Sequence, residues 1–190
     1  MGLVIARPPV RIALVALALA APLVLVACGS DEVSQDDYRA ATGEVCAKYQ
    51  KIVDADQAKV DRLGAKSSQD PKPFAAAVRQ FQRNWDEFAA ALKAVERPPA
   101  DRKQLNQFFT SLSNSQDRVA DLAGAVDQLP GLLDEVEAIE QSQNAAQAES
   151  VIARAEKLQS EIGRAEAGFQ KSIGQVERFV NRYPGLADCR

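Results

Sequence analysis

The cysteines are where this sequence could do covalent chemistry. Cys28 closes the run Leu25, Val26, Ala27 at the end of an apolar stretch, 12–27, that follows Arg7 and Arg11. A basic start, an apolar core and a small residue just before the cysteine read as a secretory leader cut ahead of Cys28, which sets that residue apart as the new N-terminus. Cys46 and Cys189 are then left as an even pair. In an oxidising compartment such a pair defaults to a disulfide. A free, reactive Cys46 is the competing reading, but it lacks a histidine to activate it.

Other catalytic chemistry is poorly supplied. No histidine occurs, which removes the commonest general base near neutral pH and the commonest ligand of catalytic zinc or copper. No serine stands three before a lysine, and no glycine-rich phosphate loop is present. Asp134, Glu135, Glu137 and Glu140 form an acidic cluster without the bent loop that calcium needs, so a solvated helix face accounts for it. The expectation is no enzyme, no cofactor and no metal. The net charge of −3 becomes more negative once Arg7 and Arg11 leave with the leader, which argues against nucleic acid as a partner.

The elements that must carry these cysteines are helical, since apolar residues recur at helical spacing and no alternating β-branched run occurs. A first helix is predicted over 34–63, with Asp36 and Asp37 in its first turn and Gly64 as its stop. Its apolar stripe is Tyr38, Ala41, Val45, Tyr49, Ile52, Val60, Leu63. Asp56 falls near that seam, facing water if Val53 takes its place and acting as a buried polar group if not. The second helix starts at Asp70 and Pro71 and carries Phe74, Val78, Phe81, Trp85, Phe88, Leu92 and Val95 on one stripe, which is core.

Pro98 and Pro99 form a stiff hairpin into the third helix. Its stripe runs from Leu105 to Ile139 in one register across Pro130, which points to a single kinked helix, with a break into two as the alternative. After a polar break at Gln141, Ser142, Gln143 and Asn144, the fourth stripe runs from Ala148 through Ile152, Leu158 and Phe169 to Tyr183. Four stripes with short connections predict an all-α, antiparallel up-down-up-down four-helix bundle. That topology brings Cys189, in the tail, beside Cys46 of the first helix. The chain divides into a signal peptide over 1–27, a short tether over 28–33 and one helical domain over 34–190.

The run Leu25, Val26, Ala27, Cys28 resembles the lipobox of bacterial lipoproteins processed by signal peptidase II. With an early cysteine in the first helix, a double proline before a later helix and a cysteine near the end of the sequence, the chain is similar to small all-helical lipoproteins of high-GC Gram-positive bacteria. The resemblance implies a diacylglyceryl thioether on Cys28 and attachment to the extracytoplasmic face of the cell membrane. Two or three acyl chains, at about 0.8 kcal/mol per buried methylene, make release negligible.

A non-enzymatic helical interaction or scaffold module of the cell envelope, with a protein partner there, follows as the leading expectation. The alternative is a carrier of an apolar small molecule or lipid. Glycines inside the fourth helix, Gly163 and Gly168 among them, each cost about 1 kcal/mol relative to alanine. They allow either close packing or a groove between the third and fourth helices, with Phe109 on its lining. At the end nearest the membrane, Lys93, Arg97, Arg102, Lys103, Arg178, Arg182 and Arg190 gather, but Asp31, Glu32, Asp36, Asp37, Glu96, Asp101, Glu177 and Asp188 offset them. By that tally the basic cluster is a set of solvated helix ends.

Overall fold

Ser34 caps the first helix: its Oγ accepts the Asp37 N–H at 3.1 Å and donates to the Asp37 carboxylate at 2.6 Å. The computed structural model describes residues 32–142 and 145–189. Leu25, Val26, Ala27 and Cys28 lie outside them, as do Gln143 and Asn144. Helix α1 spans Gln35–Gly64, α2 Pro71–Ala94, α3 Arg102–Val126, α4 Leu129–Ser142 and α5 Ala145–Arg182. Short 3-10 turns occupy Pro99–Asp101 and Pro184–Cys189. No strand occurs among the described residues.

The second helix starts where its sequence says it should. Asp70 Oδ1 accepts the Lys72 N–H, and Pro71 takes the first helical position, where a missing N–H costs nothing. Helix α1 packs on α2, α2 on α3, and α3 on α5, while α4 lies against α5 and touches α2. The tail 184–189 packs back against α1 and α5.

The main core gathers Tyr38, Phe81, Trp85, Leu92, Leu105, Phe108, Leu112, Phe169, Tyr183 and Leu186, all buried. Phe169 meets both Phe81 and Trp85 edge-on, with ring centroids 5.8 and 5.9 Å apart. At about 1.5–3 kcal/mol for each large side chain removed from water, these rings dominate the packing energy. A second, smaller cluster of Ala75, Val78, Ala123 and Val126 is flanked by Phe74, Leu129 and Ile162. One buried polar chain crosses the main core, in which Trp85 Nε1 donates to Ser115 Oγ at 3.1 Å and Ser115 donates to the Leu112 carbonyl at 2.6 Å.

The third stripe is two helices rather than one kinked rod. Helix α3 ends at Val126, Asp127 caps it by donating to the Ala123 and Ala125 carbonyls, and α4 begins at Leu129. The cause is Pro130. It has no N–H to offer the Val126 carbonyl, and its ring crowds that turn, so the ladder stops four residues before it. Pro130 then sits one position inside α4, where it is tolerated. Arg79 of α2 donates to the Asp127 carboxylate at 2.7 Å, tying the break to its neighbour.

Two stripes also shift by a residue. Helix α1 buries Thr42, Cys46 and Tyr49 beside Tyr38 rather than Ala41 and Ile52, and Ile52 is 38% exposed. The seam turns because the tail covers the Thr42 and Cys46 face. Val53 joins the core edge, and Asp56, half-buried, accepts a hydrogen bond from the Asn84 amide. At the start of α5, Val151 is buried and Ile152 is 58% exposed. Gly64 closes α1 without a left-handed backbone; an added Cβ there would meet the Phe74 ring at 3.3 Å, so its smallness admits that ring.

Candidate functional site

The described chain enters at the end of the domain where α1 starts, and this end has the densest long-range bonding. The predicted pair is joined: Cys46 of α1 and Cys189 of the tail form a disulfide, with Cα atoms 5.1 Å apart. Around it the tail is fitted to α1 atom by atom. Thr42, fully buried, sets its hydroxyl 2.9 Å from the Gly185 carbonyl and 2.8 Å from the Tyr38 carbonyl. Arg39 grips Asp188 with two guanidinium nitrogens, at 2.9 and 2.8 Å. Two glycines allow this closeness. A Cβ on Gly43 would meet Asp188 Cβ at 3.1 Å, and one on Gly185 would meet Tyr183 Cε1 at 2.6 Å.

The α2–α3 turn joins the same end. Tyr183 donates its hydroxyl to Asp101 Oδ2 at 2.7 Å, and the Gln35 amide reaches the same oxygen at 3.4 Å. Burial pushes the Tyr183 phenol well above the usual tyrosine range, and its bond to anionic Asp101 pushes it the same way. Burial likewise raises Tyr38 to about 12, opposed by the Arg97 guanidinium. The Arg39 guanidinium is raised by its hydrogen bond to Asp188 and by that carboxylate's charge.

Beside this end the turn forms an open recess lined by Lys93, Glu96, Arg97, Arg102 and Asn106. Arg97 donates to Asn106 Oδ1 at 3.0 Å and lies over the Phe109 ring, 5.0 Å from its centroid. Lys93 donates to Gln116 Oε1 at 2.7 Å. The neutral partners fix these cations in position without cancelling their charge.

The residues proposed for a groove are not brought together. Phe109 is buried against Phe108 and beneath Arg97. Gly163 is exposed, and an added Cβ there meets nothing within 4 Å. Gly168 faces the Arg118 side chain, whose Cδ would lie 2.8 Å from such a Cβ. A step of five positions from Gly163 to Gly168 turns them about 140° apart on the helix. The recess at Gly168 is lined by Asn114, Asp117, Arg118, Arg164 and Lys171, a polar setting that gives an apolar ligand little to bury against.

Among the described residues no group of three histidine, cysteine or carboxylate side chains could hold a metal, and no helix is long and apolar enough to cross a membrane. In the acidic cluster Glu135 accepts from Arg154 of α5. No protein-family model, characterised protein or solved structure matches this chain.

Sequence reasoning found both disulfide partners but missed Thr42, Gly43 and Gly185. A threonine four residues before a paired cysteine carries no signal of its own. The only hint lay in composition, in two glycines flanking the residues that a disulfide would bring together.

Proposed function

We propose that this chain is a lipid-anchored protein of the cell envelope, held on the extracytoplasmic face of the membrane through Cys28 and acting without catalysis as a helical interaction or scaffold module. The observation that carries this is the run Leu25, Val26, Ala27, Cys28 after a basic start and an apolar core. The position of the first helix cap supports it. Because Ser34 starts α1, only 29–33 separate the lipid-bearing residue from the folded domain. A tether that short holds the near end within about 20 Å of its attachment point.

The finer topology belongs to the same proposal. With α3 and α4 as two halves of one limb, the chain runs up, down, up and down, so that α1 begins and α5 ends on the membrane side. The contact of Gln35 with Asp101 and the bond of Tyr183 to Asp101 support that arrangement, as does the disulfide. The far end, made by α4 and the start of α5, is then free to meet a partner in the envelope.

Cys28→Ala tests the anchor. Expressed in a bacterium with a lipoprotein pathway, the parent chain should fractionate with membranes and show the mass of an acylated N-terminal cysteine. The variant should lose that mass and either leave the membrane or accumulate uncut. Unchanged lipid labelling would refute the assignment. Crosslinking in intact cells tests the module: repeated recovery of one envelope protein supports it, and recovery of none removes it.

A further inference from the structure

We propose that the recess formed by Lys93, Arg97 and Arg102 binds the phosphate-bearing headgroup of an anionic lipid in the membrane to which Cys28 attaches the chain. The inference rests on the lipid-anchor reading and adds a second, noncovalent contact to it.

The charges are arranged for an anion. Four arginines elsewhere are paired with carboxylates, Arg39 with Asp188, Arg79 with Asp127, Arg118 with Asp121 and Arg154 with Glu135. In the recess, Lys93 and Arg97 instead donate to the amide oxygens of Gln116 and Asn106. Arg97 also rests on the Phe109 ring. An amide oxygen orients a cation and leaves its charge in place. Glu96 is the one carboxylate on the lining, set against the three cations. A guanidinium can still offer paired N–H groups to a phosphate while holding one neutral acceptor.

Residue totals hide this separation. Of the acids that balance the basic cluster in a simple count, Asp101 accepts from Tyr183, Asp37 is engaged with Ser34, and Asp188 is held by Arg39. Only Asp188 is neutralised by a cation, Arg39; the hydroxyls of Tyr183 and Ser34 hold Asp101 and Asp37 toward α1 and the tail without cancelling their charge, so what favours an anion is that Lys93, Arg97 and Arg102 line the recess with Glu96 as its one carboxylate.

Position supplies the occupant. The Pro99–Asp101 turn adjoins the first residue of α1 through Gln35 and Asp101. From Cys28 to Gln35 the chain spans at most about 25 Å when fully extended, so the headgroup layer is within reach of the recess. A tethered surface meets its lipids at high effective concentration, so a weak site is filled.

The test uses the full chain in lipidated form, reconstituted into vesicles of phosphatidylcholine alone or mixed with phosphatidylglycerol, and reads amide hydrogen exchange over residues 93–106. Exchange there should slow roughly threefold in the anionic vesicles relative to the neutral ones, and high salt should remove the difference. K93Q/R97Q/R102Q should abolish it. K93Q/R102Q, which keeps the Arg97 contact with Phe109, should lose most of it. Equal exchange in both vesicles overturns the proposal. So does equal slowing by soluble glycerol phosphate over neutral vesicles, which would make the ligand a free anion. Should Cys28 carry no lipid, the anchor reading fails by itself. Cosedimentation of the unlipidated chain with anionic vesicles, lost in both variants, would then still support the recess, and its absence would overturn it.

Discussion

The rings of Tyr38 and Tyr183 meet edge-on, centroids 6.3 Å apart, yet their hydroxyls fare differently: Tyr183 donates to Asp101, whereas the Tyr38 hydroxyl is buried without a hydrogen-bond partner among the described residues. Removing the two oxygens should therefore act in opposite directions. Tyr183→Phe breaks a bond to a charged acceptor and should destabilise by about 1–2 kcal/mol. Tyr38→Phe removes a desolvated hydroxyl and should be neutral or stabilising by up to about 1 kcal/mol. Urea midpoints of the two variants decide it.

The same phenols set an alkaline limit. Tyr38 is raised to about 12 and Tyr183 is raised as well, so the folded state holds protons that the unfolded chain releases near pH 10. Their contribution is complete below about pH 10 and is lost as pH rises through the folded value. Stability measured by urea should be flat from pH 8 to about 9.5 and fall steadily above 10. Tyr38→Phe should shrink that fall, and an unchanged slope would sink the assignment.

Replacing Cys46 and Cys189 together with serine opens a loop with a sequence separation of 143. The chain-entropy treatment puts the loss at about 2–5 kcal/mol. Gly185→Ala should cost about 1–3 kcal/mol with the disulfide intact, since its methyl group runs into the Tyr183 ring. Denaturation of each variant in oxidising buffer, and of the parent with and without reductant, separates the two contributions.

The helical glycines offer a contrast between neighbours. Gly163→Ala meets open space and should stabilise by about 1 kcal/mol. Gly168→Ala should gain less, because Arg118 must move off it and away from Asp121, its partner at 3.0 Å. Thermal midpoints of the two single variants, measured side by side, check the order.

Ser115→Ala leaves the Trp85 indole N–H buried without its acceptor and should cost about 1–3 kcal/mol. Trp85 is the one tryptophan of the chain, so a shift in its emission reports the change directly.

Much of this fold is legible in the residues. The stripe of Phe74 through Val95 lies along the core side of α2, with Val78, Phe81, Trp85 and Leu92 buried. Ser34, Asp70 and Pro71 start their helices as their chemistry requires. Cys46 and Cys189 pair. The departures share a cause, for each depends on what another segment does. Ile52 and Ile152 keep perfect local period but lose their cover, since only packing decides which neighbour arrives. Val126 stays in phase with Leu129 and Leu133 across a break because both halves of the limb rest on α5, so continuity of register is no proof of continuity of helix. Thr42 is polar and fully buried, which periodicity alone cannot anticipate.

The bond between Cys46 and Cys189 spans every connection from α1 to α5. A protease that cuts the 65–70 segment or the turn before α3 therefore produces two fragments still joined through sulfur, and everything downstream of the nick stays attached to the stretch that leads to Cys28. Under the proposed anchor, release of a chain nicked once in this way would take a reductant, or a further cut between Cys28 and Cys46.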